Sequence, residues 1–122
     1  MIPKQKFLAL SVVAPSGHHI AIGKKTIEVR TWSPPTLPIK DLLIVENQHY
    51  LLNEGDEELG RAMVLVDIEA VHPWQEDEMV SACASYWAEG YFAWEISNVR
   101  VLPNIAVLAK RKLYSLEIEL SE

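Results

Sequence analysis

The residue types most able to do chemistry together lie in one ten-residue stretch, Gly23-Lys24-Lys25-Thr26-Ile27-Glu28-Val29-Arg30-Thr31-Trp32. It holds three cations, a carboxylate and an aromatic. A lysine beside a carboxylate can hold or orient it for proton transfer, and an arginine can grip a phosphate with two parallel donors. An aromatic plane would complete a nucleobase site by stacking, worth about 1–3 kcal/mol per base. The same residues on an exposed edge strand would instead be a solvated ion pair worth at most about 1 kcal/mol.

Spacing bears on which of these applies. In a strand, Ile27 and Val29 share one face, while Thr26, Glu28, Arg30 and Trp32 share the other, so alternation sets Glu28 beside Arg30. Lys25 has the wrong parity and joins them only where the chain bends as it leaves Gly23. That glycine stands where a left-handed helix cap needs a residue without Cβ. Tyr91 and Trp94, in the apolar segment Tyr91-Phe92-Ala93-Trp94-Glu95-Ile96, are further aromatic candidates.

Other catalytic constellations are poorly supported. His18, His19, His49 and His72 have no cysteine or carboxylate at metal-ligand spacing, so no metal is expected. Neither a nucleophile-elbow glycine pattern nor a phosphate-cradling glycine loop is present, and no cofactor is expected.

The elements that must position the stretch follow from pattern. Phe7 to Val13 is an apolar, partly β-branched run suited to a buried strand; Lys4 and Lys6 before it faintly imitate a signal peptide, but Pro15-Ser16-Gly17 follows in place of a cleavage site. Ser16 reads as the N-cap of a short helix reaching Ile22. Lys25 to Trp32 is the next strand, closed by the loop of Pro34, Pro35 and Pro38. Asp41 to Glu46 is a second core strand with a polar exit at Asn47 to Tyr50, and Asn53 to Glu58 is a solvated acidic loop. Gly60 to Val71 is a long strand with Ala62, Val64, Val66 and Ile68 on one face. After His72-Pro73-Trp74, the acidic start Glu76-Asp77-Glu78 predicts a helix from about Gln75 to Glu89, with Met79, Val80, Cys83, Ala84 and Trp87 as its core stripe. A strand from Tyr91 is expected to end at Pro103, and Leu113 to Leu120 alternates as a half-buried closing strand.

These elements make an α+β chain: a small mixed β-barrel of five or six strands with two flanking helices. The length of 122 residues suits one domain, residues 1–122. Its 49% hydrophobic and 23% charged residues are those of a folded protein, and its apolar runs, such as Met63-Val64-Leu65-Val66 and Leu42-Leu43-Ile44-Val45, are far below the roughly 20 residues that span a bilayer. The lone Cys83 excludes an intramolecular disulfide and fits a reducing, cytoplasmic setting. A net charge of −6 argues against coating nucleic acid by bulk electrostatics. Charge is nonetheless segregated, with Lys24, Lys25, Arg30 and Lys40 in one basic cluster and Lys110-Arg111-Lys112 in another.

Gly23-x-Lys25-x-x-Glu28-x-Arg30 resembles the signature of the ASCH domains, a family with a PUA-like β-barrel fold related to RNA-binding modules. The strand into a short helix, the proline loop after Trp32, the Gly60 strand, the Tyr91–Trp94 segment and the closing strand follow the family's order. The resemblance implies a cleft that takes RNA, a nucleotide or a nucleoside, lined by Lys25, Glu28 and Arg30, with Trp32, Tyr91 and Trp94 as ligand-binding aromatics. It also implies a hydrolase alternative. One branch is similar to amidohydrolases of acetylated cytidine, which use a lysine of this motif and a threonine three residues later; here Lys25 matches and Glu28 replaces the threonine. Other members are similar to RNA-cleaving enzymes, for which Glu28 would be the base and Lys25 or Arg30 a phosphate partner.

Overall fold

A computed structural model describes residues 4–120. Its strands are β1 (Lys4–Val13), β2 (Ile27–Arg30), β3 (Ile39–Asn47), β4 (Glu57–Pro73), β5 (Phe92–Lys110) and β6 (Leu113–Glu119), with one helix, α1 (Ser16–Ala21). They form one sheet in the order β2-β5-β4-β3-β1-β6. Only β1 and β3 run parallel; every other neighbouring pair is antiparallel. The sheet curls into a half-barrel, consistent with a PUA-like architecture.

The curl begins with strand length and broken register. β4 and β5 are 17 and 19 residues long, and their pairing shifts between Ala62 and Val64, between Leu65 and Asp67, and between Ile68 and Val71. Such bulges bend a strand and increase its twist. The first of them also reverses a parity expected from the sequence. Val64, Val66 and Ile68 pack in one core with Leu10, Val12, Leu42, Ile44 and Trp94, whereas Ala62 joins a second core with Phe7, Ala9, Leu43, Val45 and Ile118. Between β4 and β3, both strands of the sheet's centre, alternate residues feed the two cores. Burial on both faces is why Leu42-Leu43-Ile44-Val45 reads as an unbroken apolar run.

Pro103 does not end its strand. Val64 pairs with Val101 and Ala62 with Ile105, so Pro103 sits in the unpaired excess of β5, where its missing donor breaks no ladder bond. The chain therefore stays in β5 as far as Lys110.

The second flanking helix is absent. Among the described residues, the segment expected to be helical from Gln75 to Glu89 holds a single 3-10 turn at Glu76–Glu78, then turns through Cys83 at φ 54. The Ser81 carbonyl, which a helix would use internally, serves the start of β2 instead: it accepts from Thr26 N at 2.9 Å and Ile27 N at 3.2 Å. Tertiary hydrogen bonds have overridden helical periodicity. Met79, Ala84 and Trp87 still pack on a small cluster of Ile27, Trp74, Ala82 and Ala93, but Val80 is 86% exposed and leaves the expected stripe.

α1 is held against β3, with His18 N donating to Glu46 Oε2 at 3.0 Å. A Cβ on Gly17 would stand 2.9 Å from the Glu46 Cβ, so the close approach requires glycine. Pro15, not Ser16, occupies the N-cap, without a side-chain cap. Gly23 adopts the expected left-handed conformation at φ 80. No helix among the described residues is long and apolar enough to cross a membrane.

Candidate functional site

β2 is a four-residue edge strand that pairs only with β5, from Ile27 opposite Glu95 to Arg30 opposite Phe92. One face sends Ile27 into the cluster around Trp74, and Val29 packs against it. The other face therefore turns Glu28 and Arg30 into a cleft of about 810 Å³. Lys25 precedes the strand and is freed from its parity by the bend expected at Gly23. His19 O fixes that bend by accepting from Lys24 N at 2.9 Å and Lys25 N at 3.0 Å.

The three side chains form a buried ion cluster. Glu28 Oε1 lies 3.2 Å from Lys25 Nζ, and Glu28 Oε2 accepts from Arg30 Nε at 2.7 Å. Lys25 Nζ also donates to Ala82 O at 2.9 Å, which ties it to the irregular segment before β5. Arg30 Nη2 is 2.7 Å from Glu28 Oε2 and donates to Ser11 O at 2.6 Å. That last bond joins β2 to β1, strands that three others separate in the sheet order. The side chains of Lys25 and Glu28 are 8% and 9% exposed, and that of Arg30 is 23% exposed.

Burial pushes the Glu28 carboxyl up, but the Arg30 and Lys25 charges more than offset this and hold it below its ordinary 4.5. It is thus a fixed carboxylate with both oxygens engaged. Its ionised partners keep spare capacity: a lysine ammonium has three donors and an arginine five, and among the described residues Arg30 Nη1 has no protein partner.

The tertiary fold adds a second basic group to this cleft. Lys110, Arg111 and Lys112, at the β5–β6 turn, line it with Lys25 and Arg30, and Glu28 is the only carboxylate among its lining residues. A cationic cleft therefore sits in a chain of net charge −6. Lys24 does not line it, and Lys40 is engaged elsewhere, donating to Glu69 Oε1 at 2.6 Å. None of Glu76, Asp77, Glu78 or Glu89 lines the cleft, and neither His18, His19 nor Thr26 does.

Trp32 and Tyr91 line the cleft. Trp94, grouped with them as a ligand-binding aromatic in the sequence reading, is 0% exposed and lies in the core. It lies opposite Glu28 and shares that residue's face, but at a point where the face meets the core of Leu10, Val12 and Ile44 and not the open cleft. Its role is support, since its ring packs edge-on to Trp32 at 5.0 Å and its Nε1 donates to Trp32 O at 3.1 Å.

The sequence reading missed a further wall. Asn47, His49, Tyr50, Leu51 and Leu52 line the cleft from the β3–β4 loop. Glu58 anchors that loop: its Oε1 accepts from Gln48 N at 2.6 Å, His49 N at 3.0 Å and Asn47 Nδ2 at 3.1 Å, and its Oε2 is 2.5 Å from His49 Nδ1. These bonds, the His49 side chain first, pull the Glu58 carboxyl down to about 2. A polar cluster followed by Tyr-Leu-Leu was the available signal, but a loop's direction is not periodic. No group of three or more potential metal ligands occurs among the described residues.

The site is thus a preformed, donor-rich cleft with aromatic walls, suited to an anion that carries an aromatic ring. No curated protein matches the chain. Residues 10–106, which run from β1 through most of β5 and include every member of the buried ion cluster, match the family profile described as the ASCH domain. With the Gly23-to-Arg30 signature folded into that cleft, the chain belongs to the ASCH domain family.

Proposed function

We propose that the cleft binds single-stranded RNA or a nucleotide. ASCH domains are PUA-like and often bind RNA. The observation that carries the reading is the gathering of Lys25, Arg30, Lys110, Arg111 and Lys112 around a single carboxylate, beside Trp32 and Tyr91. Arginine and lysine donors take phosphate oxygens, and an aromatic face takes the base. Lys25 and Glu28 hold Arg30 in place, so its guanidinium meets a ligand without losing further rotamer freedom.

The geometry supports binding more than hydrolysis. A general base works best with a pKa near the operating pH, and the two cations move Glu28 the other way. Glu28 also stands where the amidohydrolase branch has its threonine, and an ion-paired carboxylate does not replace that alkoxide.

The test is titration of labelled single-stranded RNA at low salt. Arg30→Ala and Lys25→Ala are expected to weaken binding by tenfold or more, and the paired surface changes Arg111→Ala and Lys112→Ala to weaken it with no loss of folding. Unchanged affinity in the surface pair and in a folded Arg30→Ala protein would overturn the reading. Incubation with RNA and with acetylated cytidine, beside Glu28→Gln, addresses hydrolysis: product formed by the wild type and lost in the variant would favour an enzyme.

A further inference from the structure

The β3–β4 loop holds large apolar side chains in water, at one particular place. Tyr50 is 76% exposed and Leu52 73% exposed, and both line the mouth of the cleft. Exposed apolar residues on a mobile loop would be unremarkable, but this loop is tied at both ends. Glu58 binds its start at Gln48 N and His49 N, while Asp56 Oδ2 accepts from Leu52 N at 3.1 Å and Asn53 N at 2.9 Å. Tyr50 lies between the two anchors, and its hydroxyl has no partner among the described residues. A rigidly presented, unpartnered aromatic beside a binding cleft is a platform with low ordering cost.

The same mouth carries the basic turn at Arg111 and Lys112, neither of which has a carboxylate within salt-bridge distance among the described residues. A second cleft, of about 520 Å³, shares that turn: Lys110, Arg111 and Lys112 line it together with the acidic residues Glu54, Asp56 and Glu57. Lys110 lines both clefts, and its Nζ is 3.7 Å from Glu57 Oε2. In the second cleft those three cations face three carboxylates, whereas the first has Glu28 alone among its lining residues, so a polyanion is drawn more strongly to the side that Tyr50 lines.

We propose that Tyr50, with Arg111 and Lys112, forms an outer subsite for a second nucleotide, so that the protein takes a single-stranded oligonucleotide in preference to a mononucleotide. This rests on the nucleic-acid reading of the cleft. Arg30 and Trp32 hold the inner nucleotide; the next base stacks on Tyr50 while its phosphate meets the basic turn. Stacking suits unpaired bases of any identity, so the subsite selects length more than sequence.

Calorimetric titration of the whole protein at low salt, with adenosine monophosphate and with a single-stranded adenosine tetranucleotide, tests this. The wild type should bind the tetranucleotide at least tenfold more tightly. Tyr50→Ala, at an exposed position, should lower tetranucleotide affinity about 5- to 100-fold and leave mononucleotide affinity within twofold, while Tyr50→Phe retains both. Equal affinity of the wild type for the two ligands overturns the subsite, as does a Tyr50→Ala protein that loses neither or loses both alike. If the wild type binds neither ligand, the nucleic-acid reading itself fails, and the subsite with it.

Discussion

Two buried carboxylates in this molecule are each flanked by cations, and they do different work. Glu28 pairs with Lys25 and Arg30 through side-chain contacts and opens onto the cleft. Asp67, on β4, accepts from Asp41 N at 3.0 Å, Asn98 Nδ2 at 3.0 Å and Arg100 Nη2 at 2.7 Å, and lines neither of the two clefts. Asp41, which also pairs with Arg100, and Asn98 have left-handed backbones at φ 57 and φ 51. Asp67 thus fastens two strained turns on β3 and β5 to the strand between them. Buried charge by itself does not mark a site: what separates the two is where the spare donors point.

The largest effect expected from this contrast is on folding. Glu28→Ala leaves Lys25 and Arg30 facing each other without their counter-charge, and urea denaturation should show a loss of about 3–5 kcal/mol. RNA affinity should fall with it in whatever fraction stays folded. Asp67→Ala removes hydrogen bonds from Asp41 N, Asn98 and Arg100 at a buried carboxylate, for a loss of about 1–3 kcal/mol. Its RNA affinity should stay within twofold of wild type. A matching drop in affinity would erase the distinction between staple and site.

Acid sharpens the same comparison. Glu28 and Asp67 are both held below their ordinary values of 4.5 and 3.8, Glu28 by cations acting against burial and Asp67 chiefly by the Asp41 N–H. A lowered folded value means stability that is present above the unfolded pKa and lost as pH falls through the folded one. Unfolding midpoints should therefore decline as pH is lowered from about 4.5, and Glu28→Gln should flatten that decline. A variant with the wild-type slope would show that Glu28 is not the group responsible.

The smallest effect concerns the irregular segment over Lys25. His72 Nε2 is 2.9 Å from the Glu78 carboxylate and its Nδ1 is 3.0 Å from Glu95 Oε2, and these contacts, Glu78 first, raise its pKa above 6.5. Here the sign reverses: the contribution is full below 6.5 and lost as pH rises through the raised value. Amide exchange in residues 74–91 should quicken across that window and lose its pH dependence in His72→Gln.

Much of the site was legible because β alternation is local. Glu28 and Arg30 share a face by parity, and a glycine before Lys25 announces the bend that brings the lysine in. The apolar runs that became β1, β3 and β4 were legible for the same reason. The Gln75 to Glu89 helix was misread because three- and four-residue spacing cannot register that Ser81 and Ala82 carbonyls are claimed by β2 and Lys25. Trp94 was misassigned because an aromatic in a strand reads alike whether its face meets a cleft or a core.

What this sequence determined by itself is the ion cluster: three charged residues within six positions, Glu28 and Arg30 on one face by alternation and Lys25 beside them after the Gly23 bend. Only the tertiary structure decided what surrounds it. The basic turn at Lys110 to Lys112 reaches the cleft because the bulged strands β4 and β5 curl the sheet. Tyr50 reaches it because Glu58 and Asp56 fix a loop with no periodicity of its own. Local chemistry is written in spacing, whereas the meeting of distant segments depends on twist, register and burial summed along the whole sheet.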